Sequence, residues 1–198
     1  MSGTEEGAGH HTRRFPAEGD FVDRLEGAER RRLIPQDDII RMLGLSRRDT
    51  LVDLGAGIGY FSIPASKRAG TVVAIDMEQK MFGPLKQRIA SGKISNIEPV
   101  MADITAVPIA AGSVSRILAA FVYHEVDDPE TLIQECSRVL SPRGQLMIVD
   151  FQKRETPIGP PIEERKTPEE VLREASCDFE LVRRLETEVY YALRFRKR

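Results

Sequence analysis

The segment Val52-Asp53-Leu54-Gly55-Ala56-Gly57-Ile58-Gly59-Tyr60 decides how the whole chain is read. A short apolar run enters three glycines at alternate positions, and a helix-like stretch follows. Glycine removes the Cβ that would block a ligand, and it tolerates positive φ. A strand that ends in such a turn places it at the strand's carboxyl end, where open α/β sheets bind ligands.

Outward from this turn, strand-like and helix-like segments alternate. Thr50–Leu54, Thr71–Ile75, Ile97–Ala102 and Val114–Val122 read as strands, and Tyr60–Ala69 and Glu78–Ala90 as helices. Upstream, Asp37–Leu45 reads as a helix with Ile39, Ile40 and Leu43 on one face and Gly44 near its end. Asp128-Pro129 opens another, the aspartate as cap and the proline in the first turn. Its apolar face is Leu132, Ile133, Cys136, Val139 and Leu140. Ser141–Gly144 reads as a turn and Gln145–Phe151 as a strand. A proline-rich loop follows at Thr156–Pro161, then a capping box at Thr167–Glu170 that starts a helix running to about Ser176. Phe179–Glu188 and Val189–Arg196 read as consecutive strands with no helix between them.

Alternating β and α segments predict a parallel sheet covered by helices on both faces. Two strands joined by a tight link cannot be parallel neighbours, because a parallel connection needs a long crossover. The expected architecture is therefore α/β: a three-layer sandwich around a seven-stranded, mostly parallel, Rossmann-like sheet with an antiparallel last strand. Residues 35–198 form that domain. Residues 1–14 are polar and small and read as a loose terminus, with His10 and His11 in it. Residues 15–34 carry Phe15, Phe21, Leu25 and Leu33 among many charges and read as a helical lead-in.

Composition excludes several classes. Twenty-nine basic against 31 acidic residues give a formal net charge of −2, which argues against general nucleic-acid binding. The longest apolar run, Ile117–Tyr123, is far short of the roughly 20 residues of a membrane-spanning helix. The first residues lack the basic and apolar regions of a secretory signal. Two cysteines, Cys136 and Cys177, are too few for a disulfide framework or a Cys-rich metal site, so no metal centre is expected. The default is a cytoplasmic protein, and a homodimer is compatible with it.

The glycine turn has two competing ligand classes. A dinucleotide site wants a third glycine where this chain has Tyr60. Asp53, two residues before Gly55, would repel a phosphate and attract an ammonium group. Asp76, ending the second strand, can accept both hydroxyls of a ribose. Asp103, ending the third, can accept the exocyclic amine of an adenine, with Met77 and Ile104 on the ring faces. Each acid taken singly also reads as an ordinary turn residue. Their order and spacing together suit an adenosine bearing a cationic amino acid.

On these residues the chain resembles a class I S-adenosylmethionine-dependent methyltransferase of the small-molecule type, over about residues 35–198. The run Arg138–Leu146 and the ending Tyr190–Phe195 add to the likeness. It is most similar to the broad group containing the ubiquinone/menaquinone-type C-methyltransferases. The resemblance implies S-adenosyl-L-methionine as cofactor, held by Asp53, Gly55, Ala56, Gly57, Gly59, Asp76, Met77, Asp103, Ile104 and Phe121. It implies methyl transfer to a small-molecule acceptor, by in-line displacement in which the protein aligns the nucleophile and excludes water. Where the acceptor carries a proton, His124 and Tyr123, just after the fourth strand, are the candidate catalytic groups. RNA or protein methylation, with the Arg30-Arg31-Arg32 cluster as contact, is the alternative, as is a non-catalytic cofactor-binding role. Such basic runs are more often solvated faces. Residues 15–34 are the first candidate for a lid over the site, and the Pro157–Pro161 loop the second.

Overall fold

The computed structural model describes residues 25–198. Seven strands form one sheet: β1 (Thr50–Leu54), β2 (Thr71–Asp76), β3 (Ile97–Met101), β4 (Val114–Ala120), β5 (Leu140–Phe151), β6 (Phe179–Glu186) and β7 (Tyr190–Lys197). Their spatial order is β3-β2-β1-β4-β5-β7-β6. β1 to β5 pair in parallel, and β7 runs antiparallel to both β5 and β6. The chain thus doubles back through its last strand, as expected, and inserts that strand between β5 and β6.

Period-two alternation sends neighbouring strand residues to opposite faces. Leu51, Val72, Ala74, Leu118, Met147, Val149 and Ala192 enter one core. Helices α2 (Gln36–Leu43), α3 (Ser62–Ser66) and α4 (Phe82–Ser91) cover it, through Ile39, Ile40, Ala65 and Leu85 among others. Val52, Ile117, Ala119, Ile148 and Leu193 enter the second core. There α5 (Pro129–Val139) and α6 (Pro168–Ala175) supply Leu132, Ile133, Val139, Val171 and Ala175. Cys136 is buried in that face, and desolvation pushes its thiol pKa up, so it is an inert packing residue.

The local start signals act as expected. Asp128 Oδ1 accepts from the Thr131 N–H at 3.2 Å. Thr167 and Glu170 form the reciprocal capping box. Gly44 ends α2 at φ 63°, a left-handed conformation suited to glycine.

Three segments depart from the sequence reading. The helix expected over 60–69 is only Ser62–Ser66. Side chains arriving from elsewhere take its terminal carbonyls: Asn96 Nδ2 donates to the oxygens of Ser66, Ala69 and Gly70, and Arg47 to those of Ser66 and Ala69. Ser141–Gly144 is an excursion within β5 rather than a loop before it. Leu140 pairs with Val114 and Gln145 with Arg116, so β5 begins earlier than expected. β4 ends at Ala120 instead of Val122, because Phe121 adopts φ 58° and leaves the strand path.

Ahead of the sheet, the described part of the lead-in contains α1 (Ala28–Leu33). Ile34 is fully buried, and its carbonyl accepts the Tyr60 hydroxyl at 2.9 Å. Phe15, Phe21, His10 and His11 lie outside the described residues.

Candidate active site

The carboxyl ends of β1, β2 and β4 meet at the glycine turn. Gly55, Gly57 and Gly59 all have positive φ, at 69°, 54° and 85°. Their reasons differ. A Cβ on Gly55 would lie 2.7 Å from Val122, and one on Gly59 would lie 2.6 Å from Leu85. A Cβ on Gly57 would meet nothing within 4 Å. Gly55 and Gly59 therefore serve close packing as well as conformation, and Gly57 is the one that faces open space, as a ligand-cradling glycine must. Ala56 is buried, and its N–H donates to the Ile75 carbonyl at 2.8 Å, tying the turn to β2.

Asp53 is 2% exposed, and Ser62 donates to its Oδ2 at 2.5 Å. Burial pushes its pKa up to about 7; the Ser62 hydrogen bond opposes this, and the nearby Asp76 charge adds to it. The sign for stability follows. The folded chain holds this proton more tightly than the unfolded chain, whose carboxyl titrates near ~3.9. The contribution is full below that value and is lost as pH rises through about 7. A ligand ammonium would favour the ionised form, so affinity should climb over the same window. We expect Asp53→Asn to flatten both profiles between pH 5 and 8, read by thermal melts and by calorimetric titration with S-adenosylhomocysteine. Parallel profiles for variant and wild type would exclude this reading of Asp53.

Asp76 ends β2. Its Oδ2 accepts the Gly57 N–H at 2.7 Å and its Oδ1 the Glu78 N–H at 2.9 Å. Burial raises its pKa, and those backbone hydrogen bonds pull the other way. Asp76 therefore holds the glycine turn in place, and lone pairs remain on both oxygens for further donors. Asp103 Oδ1 accepts from the Thr105 N–H and hydroxyl at 2.8 and 2.7 Å, which is turn chemistry, at an exposed strand end. Met77 is 66% exposed and Met101, opposite Asp76 on β3, is 61% exposed. Met77 follows the end of β2 and Met101 ends β3. Ile104 is half-buried against the second core. The sequence reading used Met77 and passed over Met101 and Ser62.

At the end of β4 the positive φ of Phe121 has a large effect. Strict alternation would send residues 117, 119, 121 and 123 to one face. Phe121 instead joins the first core beside Phe61, Phe151 and Tyr190, with ring centroids 6.2, 4.7 and 6.2 Å away. Non-glycine residues in this conformation cluster at functional sites.

Tyr123 goes the other way, which corrects its candidacy as a catalytic group. It is fully buried in the second core and donates its hydroxyl to Glu174 Oε2 at 2.8 Å. Burial and Glu174 raise its pKa well beyond the usual phenol range.

His124 lies in a short 3₁₀ turn, Tyr123–Glu125, with a side chain only 4% exposed. Its Nδ1 is 2.7 Å from Asp150 Oδ1, and its backbone N–H donates to Asp150 Oδ2 at 2.9 Å. The Phe151 N–H donates to Asp150 Oδ1 at 2.8 Å, so three donors fix this carboxylate. Glu125 Oε1 lies 3.6 Å from His124 Nε2. Asp150 went unnoticed in the sequence because it sits inside the apolar run Leu146–Phe151 with no spacing relation to His124.

Two segments border this area. The 152–160 loop is knotted by Arg165, which is 5% exposed. Its guanidinium donates to the carbonyls of Gln152, Arg154 and Pro160 and to the Thr156 hydroxyl, over the face of Phe151. The lead-in contributes Leu25, packed on Ile58 and Met81, and Arg30, whose guanidinium carbon lies 5.2 Å from the Tyr60 ring centre and 5.1 Å from that of Phe121. Arg30 is thus not part of a solvated basic face. A cleft of about 620 Å³ is lined by Ile63 and Lys67 on one side and by Arg88 and Ile94 on the other.

Comparison with known proteins agrees with this geometry. Residues 52–148 match the family described as a methyltransferase domain. The ubiquinone/menaquinone biosynthesis C-methyltransferase of Klebsiella pneumoniae is 29% identical over 114 residues, covering 56% of this chain and 45% of that protein. The chain thus spans about half the length of the curated relatives it matches. A SAM-dependent methyltransferase from Aquifex aeolicus superposes with a TM-score of 0.82 at 24% identity, over 92% of this chain and all of the other. A type 11 methyltransferase from Sulfolobus solfataricus gives 0.70 at 23% identity, over 83% and 92% of the two chains. Residues 52–148 thus match a methyltransferase domain, and with the shared fold, the open face at Gly57 and the buried acids Asp53 and Asp76 these likenesses support a class I S-adenosylmethionine-dependent methyltransferase.

Proposed function

We propose that the protein methylates a small-molecule acceptor bound beside Phe121, with His124 as the base where that acceptor gives up a proton. The His124–Asp150 pair is the observation that carries this reading. The cofactor supplies an electrophilic methyl on a sulfonium whose leaving group is a neutral thioether, so the chain's own work is on the acceptor side. Asp150 accepts the Nδ1 proton and so presents Nε2 as the basic nitrogen, the second-carboxylate logic of many histidine bases. Glu125 stabilises the positive charge that His124 acquires on taking a proton. The near-burial of the imidazole keeps water away from the transfer.

Asp53, Gly57, Asp76, Met77, Asp103 and Ile104 hold the cofactor in this reading. The lead-in is the roof: Leu25, Arg30 and Ile34 reach across the strand ends, and the Arg165-tied loop borders the other side. Ile34, fully buried, ties this roof to the core. Two unpaired cysteines fit a reducing, cytoplasmic setting. With Arg30 turned inward, the RNA-contact alternative loses a member of its basic cluster.

The test is turnover of S-adenosylmethionine to S-adenosylhomocysteine against fractionated small-molecule pools. With the acceptor found, Asp150→Asn and His124→Ala should lower kcat by about 10²–10⁴-fold, with cofactor affinity retained. Full kcat in both variants would remove His124 from the chemistry.

A further inference from the structure

We propose that Arg30 is the carboxylate receptor of the active-site mouth, an inference that rests on the methyltransferase reading above. The three consecutive arginines of α1 have different fates. Arg31 pairs with Glu26 and is 63% exposed, and Arg32 is exposed. Arg30 alone turns inward, between the rings of Tyr60 and Phe121. Its Nε is buried without a hydrogen-bond partner, and among the described residues no carboxylate pairs with it.

Among the described residues, several acids around this mouth are already engaged. Glu26 serves Arg31 and Arg88, Asp38 serves Arg41, Asp53 takes the Ser62 hydroxyl, and Asp76 takes two backbone N–H groups. Two aromatic faces attract the cation only in part. The penalty for burying an unpaired ion exceeds that attraction. An oxyanion from outside the chain would close that gap, and a planar guanidinium matches a carboxylate with two parallel hydrogen bonds.

The position makes the assignment more specific. Tyr60 directly follows the glycine turn, and Phe121 directly follows β4. Asp53, at the end of β1, is a buried acid suited to an ammonium group. A buried acid and a buried guanidinium at one mouth match the two charges of an amino acid. The carboxylate can come from the methionine part of the cofactor or from an acidic acceptor.

The experiment uses the full chain, with Arg30→Met, which keeps an unbranched apolar side chain and loses the charge, and Arg30→Lys. Three probes are titrated calorimetrically: S-adenosylhomocysteine, 5′-methylthioadenosine, which lacks the amino-acid part, and benzoate added to the S-adenosylhomocysteine complex. If the cofactor is the source, Arg30→Met loses at least tenfold in S-adenosylhomocysteine affinity, Arg30→Lys recovers part of it, and 5′-methylthioadenosine is unchanged. If an acidic acceptor is the source, both nucleosides bind as in wild type and only benzoate binding is lost. Equal losses for both nucleosides would make Arg30 a packing residue and overturn the proposal. So would unchanged S-adenosylhomocysteine affinity with no benzoate binding that depends on Arg30. Wild-type protein that binds neither nucleoside would instead overturn the methyltransferase reading itself.

Discussion

Arg165→Met is expected to destabilise the fold by about 3 kcal/mol, because one side chain donates to several neutral acceptors that are left without it. The lost guanidinium leaves the carbonyls of Gln152, Arg154 and Pro160 and the Thr156 hydroxyl without their donor. A buried carbonyl left unpaired costs about 1–3 kcal/mol, and partial exposure of the loop keeps the total below a simple sum. Methionine retains an apolar side chain over Phe151, so the loss reports the hydrogen bonds more than the packing. Urea denaturation measures it. Limited proteolysis adds a local readout, since cleavage should concentrate between Gln152 and Pro161. Arg165→Lys should recover only a minority of the loss, because an ammonium cannot span donors arranged for a planar fork. A midpoint shift equivalent to less than about 1 kcal/mol would show that the loop holds its shape without Arg165.

Asp76→Ala should weaken S-adenosylhomocysteine binding by about 100-fold or more. Hydrogen bonds to a charged acceptor contribute about 1.5–3 kcal/mol each, and the proposed ribose contacts are two. The substitution also frees the Gly57 N–H, now held at 2.7 Å, at the one glycine of the turn whose face is open. Loosening of that turn adds to the loss. Titration calorimetry measures the affinity, and circular dichroism checks that the sheet persists. Unchanged affinity with an intact spectrum would leave Asp76 as a clamp on the glycine turn and nothing more.

Much of this site was legible before the fold was seen. The glycine turn and the acid ending β2 lie within single local segments, where spacing along the chain is close to spacing in space. The helix starts at Asp128 and Thr167 were equally local, each a side chain capping an N–H three residues on. Long-range pairings were not legible. Asp150 meets His124 across β4 and β5, from positions 26 apart. Arg165 reaches back over the loop ahead of it, and Asn96 ends a helix about 30 residues upstream.

Tyr123 and Phe121 show the limit most directly. Tyr123 reads in the sequence as following the fourth strand and Phe121 as lying within it, and both were assigned to the site. One residue at φ 58° ends the alternation, sends Phe121 to the first core and leaves Tyr123 in the second. Arg30 shows it again: within Arg30-Arg31-Arg32 nothing in composition separates the inward side chain from its solvated neighbours, because the two rings that receive it come from segments about 30 and 90 residues away. By itself the sequence determined the alternation of elements, the hydrophobic faces, the antiparallel return of the last strand and the glycine turn, all of which depend on short-range pattern and local backbone preference. Only the tertiary structure decided where β7 inserts, which side chains cross the strand ends and which charges are left to pair with a ligand. Those outcomes depend on contacts between segments distant in the chain, and no local period encodes them.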